Sequence, residues 1–376
     1  MLTRSPTVSC HPERAGDPTV RTSVPDEQTW PVTLRRESGL VTASLALVAE
    51  AARDAASDLP HAGIELARSW GNQLPLPGRG STTELWEALA TVAASDLSVA
   101  RAMEPHVDAR AILAESGAPS PPEDTCWGVF AAEGPGVRLE AGRSGDAWLL
   151  DGTKPWCSLG GDLSHALVTA WVDDSARGLF AVDLGHDGVH PLEDAWHARG
   201  LRDIRSGPVR FDSVPARPVG EPGWYLRRDG FAWGGMGVAA VWYGGAVGVA
   251  RRLLRQRSDR TPDQVAHLHV GTVDTALIGA RAVLADAARR IDDGDAAGDR
   301  GALLALRVRQ VVADAVERVL TAADHALGPG PLALEPEHAA RVADLRLYVR
   351  QHHAERDSAA LGERVLAVVA TDGPPW

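Results

Sequence analysis

The hydrophobic pattern of this chain changes period twice, and this change constrains the fold more than any single motif does. Apolar residues recur at helical spacing over three early segments, 39–58, 82–95 and 96–115. From Cys126 to about Val219 the pattern becomes short apolar runs separated by Gly, Asp and Pro turns, which is typical of strands. Helical spacing then returns over four segments, Gly230–Arg257, Pro262–Asp292, Gly301–Leu327 and Glu335–Val369.

This order of helices, strands and long helices predicts an α+β chain with three parts. A length of 376 residues exceeds what a single hydrophobic core usually fills. We expect N-terminal helices, a central antiparallel β-domain shaped as a small barrel or sandwich, and a C-terminal four-helix bundle. The predicted bounds are a disordered or loosely packed tail over 1–38, helices over 39–120, strands over 121–222 and the bundle over 223–376.

Charge and cysteine content exclude several classes of function. The net charge of −12 and the lack of a basic stripe argue against nucleic-acid binding, which needs clustered cations. The three cysteines, Cys10, Cys126 and Cys157, are odd in number and lack metal-ligand spacing, so we expect no metal and a reduced cytoplasmic setting. The first thirty residues carry no apolar run, so we expect no signal peptide.

An uncharged run over 231–250 raises the question of a membrane helix. It is flanked by Arg227 and Arg228 on one side and by Arg251 and Arg252 on the other, and twenty residues could span a bilayer. Gly and Ala dominate the run, which favours a helix buried on all sides or at a subunit interface. We therefore expect no membrane partner.

The segment 151–162 carries the strongest local signal. Trp156 and Ser158 stand two residues apart in a stretch that is predicted to be extended, so their side chains would point the same way. Such a pair can lie against a flat heterocycle while the hydroxyl bonds its polar edge. An ordinary hairpin with a packed tryptophan explains this segment alone about equally well.

Three segments in order resemble the acyl-CoA dehydrogenase family, and the resemblance covers roughly residues 40–370. The first is Lys154-Pro-Trp-Cys-Ser158, which resembles the family's Trp-x-Thr strand that contacts flavin. The second, Gly178–Leu184 with Asp187-Gly-Val189, resembles Phe-x-Val-Asp…Pro-Gly-Val. The third, Gly200-Leu-Arg202 with Val209–Pro215, resembles the Met-Gly-x-Arg run and the strand that closes the family's barrel.

The resemblance implies that FAD lies between the β-domain and the bundle. It places Trp156, Cys157 and Ser158 beside the flavin ring, with Ser158 in place of the usual threonine. The backbone around Ala132 and Glu133 would match the family's Thr-Glu-Pro strand. The threonine there has become Ala132, so one side-chain hydrogen bond to flavin is lost, and the following Gly-Ser-Asp has become Val137-Arg-Leu139.

The resemblance is weaker at the phosphate end of the cofactor. Arg257 in Arg257-Ser-Asp-Arg260 is the best match to the family's Arg-x-x-Phe-Gly, but the phenylalanine is missing. His325 and Gly328 in His325-Ala-Leu-Gly-Pro-Gly330 resemble the Gln-x-x-Gly-Gly-x-Gly loop that reaches a neighbouring subunit's FAD. A solvated basic helix end and a plain helix stop explain these residues about equally well. A shared site would imply a homodimer or homotetramer, or a hetero-oligomer with a homologue.

The position of the catalytic base departs most from the family. Counting from Gly328 places His352 where the family's Tyr-Glu-Gly-Thr turn carries a glutamate, and the surrounding residues read as continuous helix into Leu361-Gly362. His352 or His353 could act as general base, since imidazole titrates near neutrality. Glu355, one turn on, could take the role instead. The chain could also lack acyl-CoA desaturation altogether, and a solvated helix face explains these residues as well.

Three functions therefore stay open. The first is FAD-dependent α,β-desaturation of an acyl thioester, with hydride transfer to flavin N5 and electrons passed to an electron-transfer flavoprotein. The second is a flavin-dependent monooxygenase supplied by a flavin reductase, because a histidine-rich C-terminal segment also resembles that branch of the fold. The third is a non-catalytic subunit that pairs with an active homologue. The Rossmann-like spacing Gly235-Met-Gly237-Val-Ala-Ala240 follows no predicted strand, so it favours close helix packing instead.

Overall fold

A computed structural model describes residues 30–35, 39–192, 196–255 and 261–373. Within these ranges, four α-helices precede the sheet: α1 (Gly39–Ala55), α2 (His61–Ser69), α3 (Thr82–Ser95) and α4 (Leu97–Glu115). Asp96 separates α3 from α4 because its backbone is extended, and its carboxylate accepts a hydrogen bond from the N–H of Val99 at the start of α4. The α2 helix is not among the predicted helices.

The central part is a seven-stranded mixed sheet. Its strands are β1 (Trp127–Phe130), β2 (Leu139–Ser144), β3 (Ala147–Lys154), β4 (His165–Trp171), β5 (Arg177–Asp183), β6 (Val189–Pro191) and β7 (Val209–Pro218). The pairings run β4–β2–β3–β7–β5 and return to β4, so five strands close into a barrel. The β1–β4 and β2–β4 pairings are parallel, whereas the predicted domain is purely antiparallel.

Long helices follow the barrel, as predicted, with shorter helices between them. The elements are α5 (Trp224–Arg227), α6 (Asp229–Leu254), α7 (Gln264–Asp292), α8 (Gly298–Leu327), α9 (Pro329–Leu334), α10 (Pro336–Tyr348) and α11 (Glu355–Asp372). α7 and α11 pack against α8, and α8 packs against α6, which forms the C-terminal bundle. The prediction of one helix over Glu335–Val369 is wrong, because α10 ends at Tyr348 and α11 begins seven residues later.

The uncharged run lies in α6, which is buried between α3 and the bundle. A Cβ atom at Gly244 would overlap the carbonyl oxygen of Ala90, and one at Gly248 would lie 2.9 Å from that of Ala94. The glycines therefore allow the two helix backbones to touch, as the spacing predicts. Among the described residues, α7 is the one helix long and apolar enough to cross a membrane by length and composition, and here it lies along α8.

Residues 31–34, which the sequence analysis assigns to a loose tail, lie against α3. Val32 and Leu34 are buried. The N–H of Val32 donates to Thr91 Oγ1 at 2.9 Å, and that of Leu34 donates to Glu87 Oε1 at 2.8 Å. Two buried polar side chains of α3 thus fix this stretch of backbone. The rest of the predicted tail lies outside the described residues.

A single carboxylate joins the three parts of the fold. Asp344 on α10 accepts a hydrogen bond from the N–H of Leu201 at 2.6 Å and one from the hydroxyl of Ser98 on α4 at 3.0 Å. Gly200 permits this contact, because a Cβ atom there would overlap the carbonyl of Ala343. Burial raises the pKa of Asp344 from its ordinary 3.8 to about 6, although the two hydrogen bonds oppose the shift.

We predict that Asp344→Asn flattens the dependence of stability on pH. A folded-state pKa above the unfolded value means that the stabilisation is full below about pH 4 and is lost as pH rises through 6, at a cost of about 3 kcal/mol. Asparagine keeps an acceptor for Leu201 and removes the ionisation. Urea unfolding near pH 5 and near pH 8 measures the difference, and Asp344→Ala, which loses both hydrogen bonds, should be weaker at both pH values by about 1–3 kcal/mol. Identical pH slopes in the wild type and Asp344→Asn would contradict this account.

Candidate active site

The turn after β3 presents Trp156 to solvent and turns Ser158 inward. β3 ends at Lys154, and the backbone then adopts a positive φ of 59° at Trp156 and 57° at Leu159. The predicted extended segment is therefore wrong, and the two side chains do not share a face. Trp156 is 58% exposed, whereas Ser158 is 7% exposed. Two backbone bonds fix the turn, from Cys157 N to Gly207 O and from Leu159 N to Arg205 O.

The hydroxyl of Ser158 connects the β-domain to the N-terminal helices. Arg101 on α4 donates from Nη2 to Ser158 Oγ at 2.9 Å, and Ser206 lies 2.8 Å from the same oxygen. These contacts hold the hydroxyl of Ser158 in one place. The other terminal nitrogen of Arg101, Nη1, is buried and makes no hydrogen bond to any described residue.

A charged cluster continues from Arg101 into the bundle. Arg101 Nη1 lies 3.5 Å from Glu104 Oε2, and the hydroxyl of Tyr348 on α10 donates to the same oxygen at 3.3 Å. The guanidinium also lies over the ring of Tyr348, 5.6 Å from its centre. Ser158, Arg101, Glu104 and Tyr348 therefore form a contiguous polar junction between all three parts of the fold.

Glu104 is suited to proton transfer near neutral pH. Burial raises its pKa from 4.5 to about 7, with Arg101 opposing the shift and the charge of Asp108 adding to it. A carboxyl group that titrates at the working pH can both accept and release a proton. Perturbed carboxyls in clefts are frequent at functional sites.

Glu133 and Lys154 form a separate ion pair beside β1. Lys154 is 1% exposed, and its Nζ donates to Glu133 Oε1 at 2.6 Å and to Thr169 Oγ1 at 2.9 Å. Arg177 donates to the same carboxylate at 3.0 Å. Burial lowers the pKa of Lys154, and the carboxylate of Glu133 opposes that shift. The side chain of Glu133, whose backbone is predicted to lie near flavin, thus neutralises a buried lysine, and Ala132 next to it is exposed.

The three candidate bases lie in a break between helices. The predicted continuous helix is wrong here, because a 3₁₀ turn over Val349–Gln351 follows α10 and Ala354 has a positive φ of 49°. His352 is buried, and its Nδ1 accepts a hydrogen bond from the N–H of Ala354 at 3.3 Å. Burial and the charge of Arg309 lower the pKa of His352, so its ring is neutral at pH 7.

The other two candidates lie at the surface. His353 is exposed, its N–H donates to Asp357 Oδ2 at 3.1 Å, and its ring nitrogen Nδ1 lies 3.2 Å from Asp357 Oδ1. The hydrogen bond from the backbone N–H of His353 to Asp357 stabilises the start of α11. It explains how a helix begins here although the sequence has no proline or glycine at this point. Glu355 in the first turn of α11 is exposed.

The residues predicted for the phosphate end are not part of the junction. His325 lies at the end of α8 with its ring edge towards His269 on α7, 6.1 Å between centres. Gly328 ends α8 with a φ of 67° and a ψ of −167°, a backbone conformation that is essentially restricted to glycine. Arg257 lies outside the described residues.

Sequence reasoning missed the charged members of the junction. Arg101, Glu104 and Asp108 recur at spacings of three and four residues on α4, which places them on one helix face. Such a face usually points to solvent. One signal in the sequence could have identified these charges as buried. Most other positions of α4 are apolar, so the helix has no separate polar face to turn to solvent.

Breaking the Glu133–Lys154 pair from the carboxylate side should be costly. We expect Glu133→Gln to lower the free energy of unfolding by roughly 3 kcal/mol, because Lys154 is left buried with a weaker partner. Adding Lys154→Met to this variant should restore most of the lost free energy of unfolding. Urea unfolding of the two single variants and the double variant completes the cycle, and a Glu133→Gln protein as stable as the wild type would contradict the argument.

Comparison with solved structures places the fold. No family model and no curated protein matches this sequence. KijD3, solved with FMN and a dTDP-linked amino-keto sugar, is 18% identical with a TM-score of 0.73, over 89% of this chain and 93% of that one. The dibenzothiophene monooxygenase TdsC from Paenibacillus sp. A11-2 is 16% identical with a TM-score of 0.67, over 84% and 96%. Butyryl-CoA dehydrogenase from Megasphaera elsdenii is 16% identical with a TM-score of 0.73, over 88% and 99%. The resemblance noted in the sequence is thus confirmed at the level of structure, and this chain has the acyl-CoA dehydrogenase fold.

Proposed function

We propose that this chain is a flavin-dependent monooxygenase that uses reduced flavin and molecular oxygen. The observation that carries the proposal is the hydrogen bond from Arg101 to Ser158, a hydroxyl two residues after the exposed indole of Trp156. A flavin ring has a flat apolar face and an edge of hydrogen-bond acceptors. The indole suits the face, and the guanidinium and hydroxyl suit the edge, so the residues present fit this cofactor.

The candidate base positions favour oxygen chemistry over desaturation. Removal of an α-proton needs a base beside the substrate, and position 352 carries a buried neutral imidazole instead of the family's glutamate. Of the nearest carboxylates, Glu355 is exposed and Asp357 is bonded to His353. The likeness to KijD3, solved with FMN, and to a dibenzothiophene monooxygenase supports the same choice.

In this proposal the residues of the junction divide three tasks. Reduced flavin, when bound, supplies the activation of oxygen. The indole of Trp156 would hold one face of the ring, and Arg101 and Ser158 would hold its polar edge. Glu104 holds or releases a proton near neutral pH, with the Tyr348 hydroxyl fixing its Oε2 atom.

Oxidation of an acyl thioester is the second candidate. Glu104 favours it, because a carboxyl with a pKa near 7 could take the α-proton from an unusual position on α4. This function would use FAD, as the resemblance implies, and would pass electrons to an electron-transfer flavoprotein in fatty acid metabolism. A flavin reductase is the expected partner of the monooxygenase. For either activity we propose a cytoplasmic enzyme.

An exposed apolar face on α7 supports assembly into a homodimer or homotetramer. Val265, Leu268 and Ile278 are each more than half exposed on this helix. Monomeric proteins rarely expose apolar residues in such a group. We propose that a second copy of this chain covers them, and light scattering of the purified protein measures the assembly.

We expect the double variant Trp156→Ala, Ser158→Ala to bind flavin more weakly, by about tenfold or more in Kd, because it loses one ring face and one polar contact. Titration with FMN and with FAD, followed by visible absorbance, measures the change and distinguishes the two cofactors. The matched control is Trp30→Ala, which removes another exposed indole remote from Ser158. A folded double variant with unchanged affinity would contradict the assignment of the flavin site.

The response of the purified protein to flavin, acyl-CoA and oxygen distinguishes the three functions. Under the monooxygenase proposal, anaerobic acyl-CoA leaves the bound flavin coloured, whereas oxygen with a flavin reductase supports transfer of an ¹⁸O atom from O₂ to a substrate, detected by mass spectrometry. Bleaching by acyl-CoA would establish the dehydrogenase instead. A colourless protein that refuses both FMN and FAD would mark a non-catalytic subunit.

A further inference from the structure

A cleft between the end of α6 and the start of α10 lies away from the polar junction. Its volume is about 420 Å³, which suits a small organic molecule. Arg252 and Arg255 line it from the end of α6, and His338 and Arg341 line it from α10. About ten residues of α10 separate His338 from Tyr348 of the junction, which is roughly 15 Å along the helix axis. The cleft is therefore a separate space.

Positive charge exceeds negative charge in this cleft, although the whole chain carries a net charge of −12. Among the described residues, three arginines and two glutamates line it. Glu335 accepts hydrogen bonds from Nε and Nη2 of Arg252, both at 2.6 Å, so these two charges neutralise each other. Glu337 lies 3.4 Å from Arg341 Nη2, but its side chain is 56% exposed, so solvent weakens this pair. Arg53 of α1 adds a further positive charge near Arg341.

Two buried side chains in the wall of the cleft each carry a nitrogen atom that has no hydrogen-bond partner in the described part of the chain. They are His338, which is 3% exposed, and Arg341, which is 5% exposed, and the atoms are His338 Nδ1 and Arg341 Nε. Arg341 Nη2 donates to the carbonyl of Ser95 at 2.9 Å, which fixes the guanidinium. A Cβ atom at Gly248 would lie 3.0 Å from Arg341 Nε, so glycine at this position leaves room beside that atom. A buried donor without an acceptor is costly, which points to a ligand that accepts hydrogen bonds.

Like charges repel one another around these two side chains. Burial lowers the pKa of His338, and the charges of Arg252 and Arg341 lower it further, with nearby carboxylates opposing the shift. Burial also lowers the pKa of Arg341, and the charges of Arg255 and Arg53 add to this shift while carboxylates oppose it. An anion bound among these groups would reduce the repulsion between them.

We propose that this cleft binds a small phosphate ester other than flavin, with the phosphate held by Arg255, His338 and Arg341. A guanidinium presents a planar fork of N–H donors that matches phosphate oxygens. A phosphate monoester carries roughly two negative charges at pH 7, so it suits a group of cations better than a carboxylate does.

Two further features of the cleft suit such a ligand. The side chain of Glu335, the N-cap residue of α10, makes no capping hydrogen bond, so N–H groups of the first turn can donate to an anion. Leu334 also lines the cleft and is 81% exposed, which offers apolar surface to the organic part of the ester.

This cleft differs from the phosphate end of the flavin site that the family resemblance implies. His325 and Gly328, which the resemblance assigns to that end, are not among the described residues that line the cleft. The inference therefore goes beyond the proposed function and does not depend on it.

The test compares two probes that differ in one group. Phenyl phosphate and phenol are titrated into purified full-length protein by isothermal calorimetry at constant ionic strength. We expect phenyl phosphate to bind about tenfold more tightly than phenol or better, because only the ester offers a dianion to the arginines. In Arg255→Gln this preference should fall to about threefold or less. Arg364→Gln, which removes an exposed arginine of α11 that pairs with Asp299, should leave the preference unchanged.

A second variant tests a buried member of the cleft and keeps the test decisive where Arg255→Gln folds poorly. His338→Phe keeps an aromatic ring and removes both ring nitrogens, so it should also lower the preference, by about threefold. Equal binding of the two probes to the wild type, an unchanged preference in both folded variants, or an equal loss in Arg364→Gln each overturns the proposal.

Titration of Arg255→Gln with FMN separates this cleft from the flavin site. We expect an unchanged affinity for FMN. Weaker FMN binding would assign the cleft to the flavin phosphate and overturn the proposal. A wild-type protein that binds phenyl phosphate at Arg255 but binds no flavin would contradict the proposed function and leave this inference standing.

Discussion

The contacts of Asp344 hold the three parts of the molecule in the arrangement on which the site depends. Its two oxygens bond to the loop before β7 and to the first turn of α4, while its backbone belongs to α10. Tyr348 lies one turn further along α10, and Arg101 lies one turn further along α4. The same carboxylate therefore sets the separation of Tyr348, Arg101 and Ser158. A shift of any one part would open the junction around Glu104.

Most of the architecture could be predicted because long periodic segments carry their own signal. The helices α6, α7 and α8 begin and end within a few residues of their predicted positions, since each has apolar residues at helical spacing over many turns. The strand β2 cannot be recognised from its sequence, Leu-Glu-Ala-Gly-Arg-Ser, which is largely polar and exposed, and it is identified only through its pairing with β3. β6 has three residues, too few for any period to show.

The sequence identifies some residues of the site but not their arrangement. Trp156 and Ser158 are candidates because an aromatic residue and a hydroxyl stand two residues apart just before Gly160-Gly161. The relative orientation of the two side chains cannot be predicted from the sequence. The positive φ of Trp156 depends on hydrogen bonds that the N–H groups of Cys157 and Leu159 donate to a loop about fifty residues away. The break before α11 gave no local signal, because the new helix start is formed by a hydrogen bond that the N–H of His353 donates to the carboxylate of Asp357. Charges buried by tertiary packing, such as Glu104, look in a sequence like a solvated helix face.

The glycines of α6 have a consequence for how mutations act at a distance in this fold. Gly244 and Gly248 set the distance between the backbones of α6 and α3, and Gly234 and Gly237, about two turns earlier on the same helix, face Asp108 of α4 and Trp86 of α3. The gap beside Gly234 and Gly237 therefore depends on backbone contact at the other end of the helix. A methyl group gained at Gly244 would push α6 away from α3, so this gap can change by mutation at a position that does not line it.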